Sequence, residues 1–348
     1  QVVLFDAIED AAFATVQNLD GRGTLRGIKE EATENKKEAE LVEYLKEMKI
    51  KPVLTAHPTQ FYPGSVLGII NDLSAAVLRN DIQEVKLLLA QLGKTPFFNK
   101  EKPTPFDEAT SLVWYLENVF YHAMGNIYDY IKSNFPNTED FENALIEVGF
   151  WPGGDRDGNP FVTPAVTQKA VYMHSKTALK EYITRAKELS LFMTHSDQLM
   201  KPSAEFIESL EKDKKFLKEA FYKKTNDFPK EPYRRKFNII SYRLAESLKR
   251  ITELQSGKIN VDKENTYSCE KELLEDLYII RDSLKQDGDT ALLEIGLDDF
   301  IRLVETFGFF LVNLDIREES TRHTNVVSAL VKQAKNKNYD DMSEDEKI

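Results

Sequence analysis

Three short polar clusters hold the residues of this chain whose types and spacing could do chemistry. The first, LTAHPTQ at 54–60, places His57 directly before a proline, which pushes the histidine out of the helical region into an extended conformation. Alternation along such a segment sends Thr55, His57 and Thr59 to the same side. Because the unperturbed pKa of histidine is about 6.5, His57 is a candidate general acid–base. The spacing alone also allows a core or surface histidine in a strand-ending turn, which is the more frequent case.

The second cluster is the stretch FWPGGDRDGNPFVT at 150–163, which contains several oxygen ligands at the spacing of a calcium loop. Positions one, three and five of that pattern are Asp155, Asp157 and Asn159. The pattern then fails, because position six is Pro160 instead of glycine and position twelve is Val166 instead of glutamate. A calcium loop is therefore not predicted, and a plain turn is the simplest alternative.

Three features of the same stretch weigh against a plain surface turn, which stays open as an alternative. Gly153 and Gly154 allow the backbone to approach a ligand or another strand closely. A surface turn does not need Trp151 before it. Arg156 lies between two acidic residues, which could hold its guanidinium rigid or merely neutralise it.

The third cluster, LDIREESTRHT at 314–324, places Arg317 at the end of an apolar run. A guanidinium at a strand end is well suited to bind a phosphate or a carboxylate through bidentate hydrogen bonds. The sequence leaves a structural alternative open, in which Arg317 forms a salt bridge with a nearby acid: Asp315, Glu318 or Glu319.

Three short apolar or β-prone segments precede these clusters and are predicted to be strands. They are 51–56, 146–151 and 309–316, and long helical patterns separate them. This order is typical of parallel strands joined by helical crossovers. Because chemistry gathers at the carboxyl ends of the strands in a parallel α/β barrel, we expect the three clusters to lie together. Three strands do not close an eight-stranded barrel.

The rest of the chain is predicted to be mostly helical. Thr163-Pro164 is a strong helix start, and the helix that follows is expected to run past Leu191. Another helix is expected after the Pro229–Pro232 turn, with an apolar stripe at helical spacing: Ile240, Leu244, Leu248 and Ile251. The basic run Arg234-Arg235-Lys236 on that helix is more typical of a solvated face than of a binding patch.

Composition limits the partners of this chain. With 46 Lys and Arg against 58 Asp and Glu in 348 residues, the formal charge is −12, so nucleic acid is a poor candidate partner. Cys269 is the only cysteine, which favours a reducing, cytoplasmic location. No apolar run approaches the roughly 18 residues of a membrane span, so no membrane association is expected. Both ends of the sequence look cut, which predicts a fragment of a longer chain.

Taken together, the clusters resemble one family, phosphoenolpyruvate carboxylase of the bacterial and plant type. Three motifs carry the resemblance and lie in the family's order: VLTAHPTQ at 53–60, FWPGGDRDGNPFVT at 150–163 and FGFFLVNLDIREESTRHT at 307–324. LFDAIEDAAF at 4–13 and EPYRRKFNIISYRL at 231–244 fit as well, so the resemblance covers nearly the whole chain. The chain is similar to the amino-terminal portion of the family's longer chains.

The resemblance implies a predominantly α-helical α/β fold built around a β/α (TIM-like) barrel, incomplete within 1–348, and usually a homotetramer. It implies that phosphoenolpyruvate and bicarbonate give oxaloacetate and phosphate, which replenishes the tricarboxylic acid cycle. It also implies Mg²⁺ or Mn²⁺, with metal ligands expected beyond residue 348 and none in this chain. We therefore expect the isolated fragment to be inactive.

The resemblance also implies roles for individual residues. His57 is implied to act on carboxyphosphate, Arg317 to hold the phosphate, and Trp151 to wall the pocket beside the substrate's methylene. A site-shaping role is implied for the loop residues, which are Gly153, Gly154, Asp155, Arg156, Asp157 and Asn159. The family usually has a glutamate and then two arginines after its TAHPT motif, whereas this chain continues with Gln60 and no arginine nearby.

Two other interpretations remain open at the level of sequence. In the first, His57 is a phosphocarrier that accepts the phosphoryl group of phosphoenolpyruvate without bicarbonate. In the second, the chain is a non-catalytic helical module for assembly or regulation, and the clusters only pack.

Overall fold

A computed structural model of the chain describes residues 8, 21, 23–55, 64–97, 103–135, 145–157, 159–222, 226–258, 263–288 and 293–347. The chain divides into two compact units. The first comprises Gln1–Tyr44 and His57–Thr104, and the second comprises Leu45–Ala56 and Pro105–Ile348. The predicted site residue His57 lies outside the described residues.

The first unit is helical in its described part. It contains α1 (Leu25–Glu34), α3 (Gly64–Leu78) and α4 (Ile82–Leu92), and α2 (Glu38–Glu47) spans the boundary between the two units. Apolar residues of α3 and α4 pack into one core, in which Leu73 is fully buried. Asp81 caps α4, because its carboxylate accepts the backbone N–H groups of the first turn at 3.1 and 3.0 Å.

The second unit contains the three strands and the remaining helices. Its helices are α5 (Pro105–Tyr115), α6 (Tyr121–Asn134), α7 (Pro164–Phe192), α8 (Ala204–Lys212), α9 (Leu217–Ala220), α10 (Pro232–Gln255), α11 (Glu270–Asp287), α12 (Asp298–Phe307), α13 (Ser320–Lys335) and α14 (Glu344–Lys347). Short π-helical turns cover Leu116–Phe120 and Leu293–Leu297, and 3₁₀ turns cover Asp213–Phe216 and Tyr339–Asp341.

The two longest helices begin where local sequence predicts. Thr163 adopts an extended conformation, and its hydroxyl accepts the Val166 N–H at 3.4 Å, so α7 starts at Pro164 as expected and ends at Phe192. α10 starts at Pro232, and the two helices pack on each other. The first half of the predicted stripe is fully buried, since Ile240 and Leu244 are both 0% exposed.

Aromatic side chains join α7 to α12 and α6 in the core of this unit. The buried hydroxyl of Tyr182 donates to the backbone carbonyl of Gly308 at 2.7 Å, just after α12. Its ring packs on Phe300 with a centroid separation of 5.8 Å. Phe307 stacks on Tyr121 of α6 at 5.6 Å. These contacts fix the helix that leads into the third strand.

The strands form one parallel sheet in the order β1 (Val53–Leu54), β2 (Gly149–Phe150), β3 (Asn313–Leu314). Each falls inside one of the three segments predicted to be strands and is shorter than that segment. Gly149 pairs with both Val53 and Asn313, so β2 is the middle strand. The predominantly helical α/β architecture with a small parallel sheet is therefore confirmed, while a closed barrel is not present among the described residues.

The basic run at the start of α10 contradicts the expectation of a solvated face. Lys236 is 0% exposed, and its ammonium bonds Asp213 and Asp276 at 2.7 and 2.6 Å. Arg234 lies over the ring of Phe228, with its guanidinium carbon 3.8 Å from the ring centroid. The prediction was wrong because packing against neighbouring elements supplies these cations with internal partners.

Across the described part of the chain, no helix combines the length and the apolar character that crossing a membrane requires.

Candidate functional site

The carboxyl ends of β2 and β3 meet and are tied together by backbone hydrogen bonds. Beyond the strands, Asp155 and Arg317 form a further parallel bridge. The N–H of Arg156 donates to the carbonyl of Arg317 at 2.8 Å, and the N–H of Arg317 donates to the carbonyl of Gly154 at 3.2 Å. The loop after β2 is thereby held directly beside Arg317.

Among the described residues, the guanidinium of Arg317 has three contacts, all with the loop after β2. Its Nη1 lies 3.2 Å from Asp155 Oδ2, and its Nη2 lies 3.7 Å from Asp157 Oδ2. Its central carbon lies 4.1 Å from the centroid of the Trp151 ring. A cation over an indole face is attracted by the ring quadrupole, and the carboxylates add charge-assisted contacts. The side chain stays 39% exposed, so it is oriented by the protein while still open to solvent.

The alternative of a salt bridge to a sequence neighbour does not describe Arg317. The carboxylates that pair with it come from the loop after β2. Asp315 instead pairs with Lys51 at 3.1 Å, and Glu318 pairs with Arg322 at 3.4 Å. Arg317 is therefore oriented from across the sheet and not by its own segment.

Two glycines make the tight turn that brings the loop to β3. Gly153 has φ +87°, a conformation that side-chain-bearing residues rarely adopt, and a Cβ there would lie 2.9 Å from the Cβ of Ala170. A Cβ on Gly154 would collide with the backbone carbonyl oxygen of Asp315. Gly154 therefore permits close approach to the end of another strand, one of the two uses that the sequence suggested, and Gly153 permits close approach to α7.

Arg156 is not held between its two acidic neighbours, so that expectation is wrong. Its Nη2 lies 3.3 Å from Thr167 Oγ1 on α7, and that hydroxyl donates to the carbonyl of Gly153 at 2.7 Å. The Nε of Arg156 is buried and has no hydrogen-bond partner in the described part of the chain. Asp155 and Asp157 instead contact Arg317. The guanidinium of Arg156 contacts Thr167 and anchors the loop to α7.

The remaining loop residues stabilise its conformation. Asp155 Oδ1 accepts the N–H of Asp157 at 3.2 Å, and Asn159 Oδ1 accepts the N–H of Phe161 at 3.1 Å. Such Asx turns shape a loop locally and lead it into the cap of α7. Within the described ranges, no group of three His, Cys, Asp or Glu side chains could hold a metal ion.

The structure thus brings eight of the nine predicted site residues into one contiguous arrangement at the ends of β2 and β3. They are Trp151, Gly153, Gly154, Asp155, Arg156, Asp157, Asn159 and Arg317. The ninth, His57, falls outside the described residues, so its placement stays a prediction. Sequence reasoning missed Thr167, whose position four residues after the Thr163 cap gives no sign of its contact with Gly153 and Arg156.

The fold and this site define a class: a largely helical α/β protein that presents an oriented cation at the carboxyl ends of parallel strands. Comparison with known proteins assigns the chain to a particular family within this class. The family model described as phosphoenolpyruvate carboxylase matches residues 9–348. The chain belongs to the phosphoenolpyruvate carboxylase family.

Curated relatives agree with this placement. The chain is 30% identical to phosphoenolpyruvate carboxylase of Synechocystis sp. over 335 residues, which cover 87% of this chain and 32% of that protein. It is 33% identical to phosphoenolpyruvate carboxylase 2 of Sorghum bicolor, covering 85% of this chain and 33% of the relative. The enzyme of Glycine max is 32% identical, with 88% and 34% covered. The chain spans about a third of the length of the curated relatives it matches.

Proposed function

We propose that this chain supplies one wall of an active site that carboxylates phosphoenolpyruvate with bicarbonate to give oxaloacetate and phosphate. The single observation that carries the proposal is the guanidinium of Arg317. It is stacked on Trp151 at 4.1 Å, paired with Asp155 at 3.2 Å, and still 39% exposed at the strand ends. An oriented but accessible guanidinium is the arrangement that phosphate binding requires. Family membership supplies the substrate class.

In this proposal, an oxygen of bicarbonate attacks the phosphorus, and the bond between phosphorus and the enol oxygen breaks. This gives carboxyphosphate and the enolate of pyruvate. Carboxyphosphate then releases CO₂ and phosphate, and the enolate carbon attacks CO₂ to form oxaloacetate. Arg317 stabilises the charge on the phosphoryl oxygens through charge-assisted hydrogen bonds.

Trp151 walls the pocket beside the methylene carbon, where a dry apolar surface protects the enolate from water. One face of its ring is already covered by Arg317, so we assign the substrate to the other side of this half-buried residue. The loop of Gly153, Gly154 and Asp155 shapes the site by holding Arg317 in place. The role of His57 on carboxyphosphate stays part of the proposal and rests on its match to the family's TAHPT motif.

The family resemblance implies a divalent metal, Mg²⁺ or Mn²⁺. The described residues do not fit one, because they contain no group of three candidate ligands and both site carboxylates lie against Arg317. We therefore assign no metal ligand to the described residues, and the ligands that the resemblance implies would lie in the part of the relatives that this chain does not cover.

The finer architecture belongs to the same proposal. β1, β2 and β3 would be the first strands of a β/α (TIM-like) barrel that the rest of the full-length protein completes. That protein would be a cytoplasmic homotetramer that replenishes the tricarboxylic acid cycle. The three parallel, adjacent strands in chain order support this arrangement.

A bicarbonate-dependent assay of oxaloacetate formation tests the proposal in the full-length protein. We expect His57→Asn and Arg317→Gln each to lower the rate by at least about a hundredfold, as loss of a group that acts on the transition state does. Wild-type rates in both variants would contradict it. An acid-labile phosphohistidine formed from phosphoenolpyruvate alone would instead favour the phosphocarrier interpretation. We expect the 348-residue chain by itself to form no oxaloacetate, and turnover by it would contradict this.

A further inference from the structure

Two carboxylates contact the guanidinium of Arg317, and their surroundings differ. Asp155 is 27% exposed and lies 3.2 Å from Nη1, whereas Asp157 is 57% exposed and lies 3.7 Å from Nη2. The other oxygen of Asp155 accepts the N–H of Asp157 at 3.2 Å, and the backbone of Asp155 is bridged to that of Arg317. The side chain of Asp157 has no comparable second contact among the described residues. One acid is therefore fixed and the other is free to turn into water.

From this difference we propose that the two acids have opposite effects on ligand binding. Asp155 is a positioning residue that holds the guanidinium over Trp151. Asp157 is a displaceable carboxylate that occupies the Nη2 side of Arg317 until a phosphate-bearing ligand replaces it. This inference rests on the proposed function, in which Arg317 takes the phosphate.

The exchange is physically favourable for a dianion. An exposed ion pair is worth little, because water solvates both partners and a long side chain loses freedom when it is held. A phosphate dianion offers Arg317 more charge and a bidentate geometry, so it can displace Asp157 at small cost. A monoanion of carboxylate type offers no more charge than Asp157 itself. The arrangement therefore favours phosphate dianions over singly charged carboxylates at this position.

Asp155 cannot be exchanged in the same way. Its release would break the contact with the Asp157 N–H and free the guanidinium from its place over the indole ring. The two acids carry the same charge and lie at similar distances from Arg317, so they form a matched pair. Removing the charge of either acid changes the long-range electrostatic field at Arg317 by nearly the same amount. A difference between the two variants therefore reports the local contacts of Asp155 and Asp157.

The test uses the fluorescence of Trp151 in the 348-residue chain carrying Trp114→Phe, which leaves Trp151 as the single tryptophan. Inorganic phosphate is titrated at pH 8 and constant ionic strength. Relative to this parent, we expect Asp157→Asn to lower the dissociation constant of phosphate about two- to fivefold, the range of one exposed ion pair. We expect Asp155→Asn to raise it, and Arg317→Gln to abolish the response. Circular dichroism and urea midpoints verify that each variant is folded.

The outcomes separate this inference from the proposed function. If both Asp→Asn variants tighten phosphate binding equally, only net charge matters and the opposite roles are refuted. An unchanged or weaker affinity in Asp157→Asn, with the response still lost in Arg317→Gln, refutes displacement and leaves the phosphate site intact. If Arg317→Gln titrates like the parent, or if neither the parent nor Asp157→Asn responds, the inference and the phosphate role of Arg317 fail together.

Discussion

Replacing Lys236 with methionine tests whether the buried charge cluster between α10, α11 and the 3₁₀ turn Asp213–Phe216 stabilises the protein. Lys236 is 0% exposed and donates to Asp213, Asp276 and Ser209 at 2.7, 2.6 and 2.7 Å. Methionine has a similar shape but no charge. Its introduction leaves the carboxylates inside the protein without their shared cation.

The two carboxylates are affected unequally. Asp276 keeps its contacts with Arg243 at 3.1 Å and with the hydroxyl of Tyr267 at 2.6 Å. Lys236 supplies the only ion pair of Asp213 within the described residues. Leaving one buried charge uncompensated costs about 3–5 kcal/mol, so we expect Lys236→Met to lower the free energy of unfolding by about that amount.

The pH dependence follows from Asp213. Burial raises the pKa of this carboxyl, even though the Lys236 ammonium opposes the shift. Without the ammonium the folded-state pKa rises further above its unfolded value. Below its raised folded-state pKa, Asp213 is protonated and carries no charge in the folded variant. The stability of the variant falls as pH rises from the unfolded-state pKa of Asp213 through its folded-state pKa. The loss of stability relative to wild type is therefore expected to be larger at pH 8 than at pH 5.

Urea denaturation followed by tryptophan fluorescence measures this loss, because Trp114 and Trp151 both lie in the same unit as Lys236. Adding Asp213→Asn to Lys236→Met is expected to restore most of the stability, since it removes the stranded charge. Lys212→Met is the matched control: its pair with Glu208 is on the surface, with side chains 73% and 69% exposed, and no change is expected. A loss below about 1 kcal/mol, or no recovery in the double variant, would refute the reasoning.

Two further predictions concern the elements that support the site. Burial lowers the pKa of His174 to about 4, so the folded state resists protonation and stability is lost as pH falls from about 6.5 towards 4. The pKa difference of about 2.5 corresponds to about 3 kcal/mol of stability. His174→Gln should remove this part of the acid-induced loss, measured by urea titrations at pH 7 and 4.5. An unaltered pH dependence would contradict the role of His174. Gly154→Ala should separate the loop from β3, because its methyl group meets the backbone carbonyl of Asp315. Phosphate titration by Trp151 fluorescence should then weaken severalfold, whereas an unchanged affinity would show that the close approach is unimportant.

Several features of this protein follow from local sequence alone. Thr163-Pro164 starts α7 because a hydroxyl cap and a proline at the first helical position act within one turn. The three segments around β1, β2 and β3 stand out as short apolar runs between long helical patterns. Because parallel strands joined by helices present their carboxyl ends at one edge, the sequence also predicted that the loop after β2 and Arg317 would be neighbours.

The partners of the charged side chains were decided by tertiary structure. The sequence suggested that nearby acids would pair with Arg317 and that its two acidic neighbours would hold Arg156. Instead, Asp155 pairs with Arg317 across 162 positions of the chain. Arg156 turns to Thr167, and Lys236 is buried where a solvated face was expected. Local patterns specify the backbone conformation and the apolar face of an element. They do not specify which distant surface meets its polar side chains, because that depends on how the helices and strands pack around them.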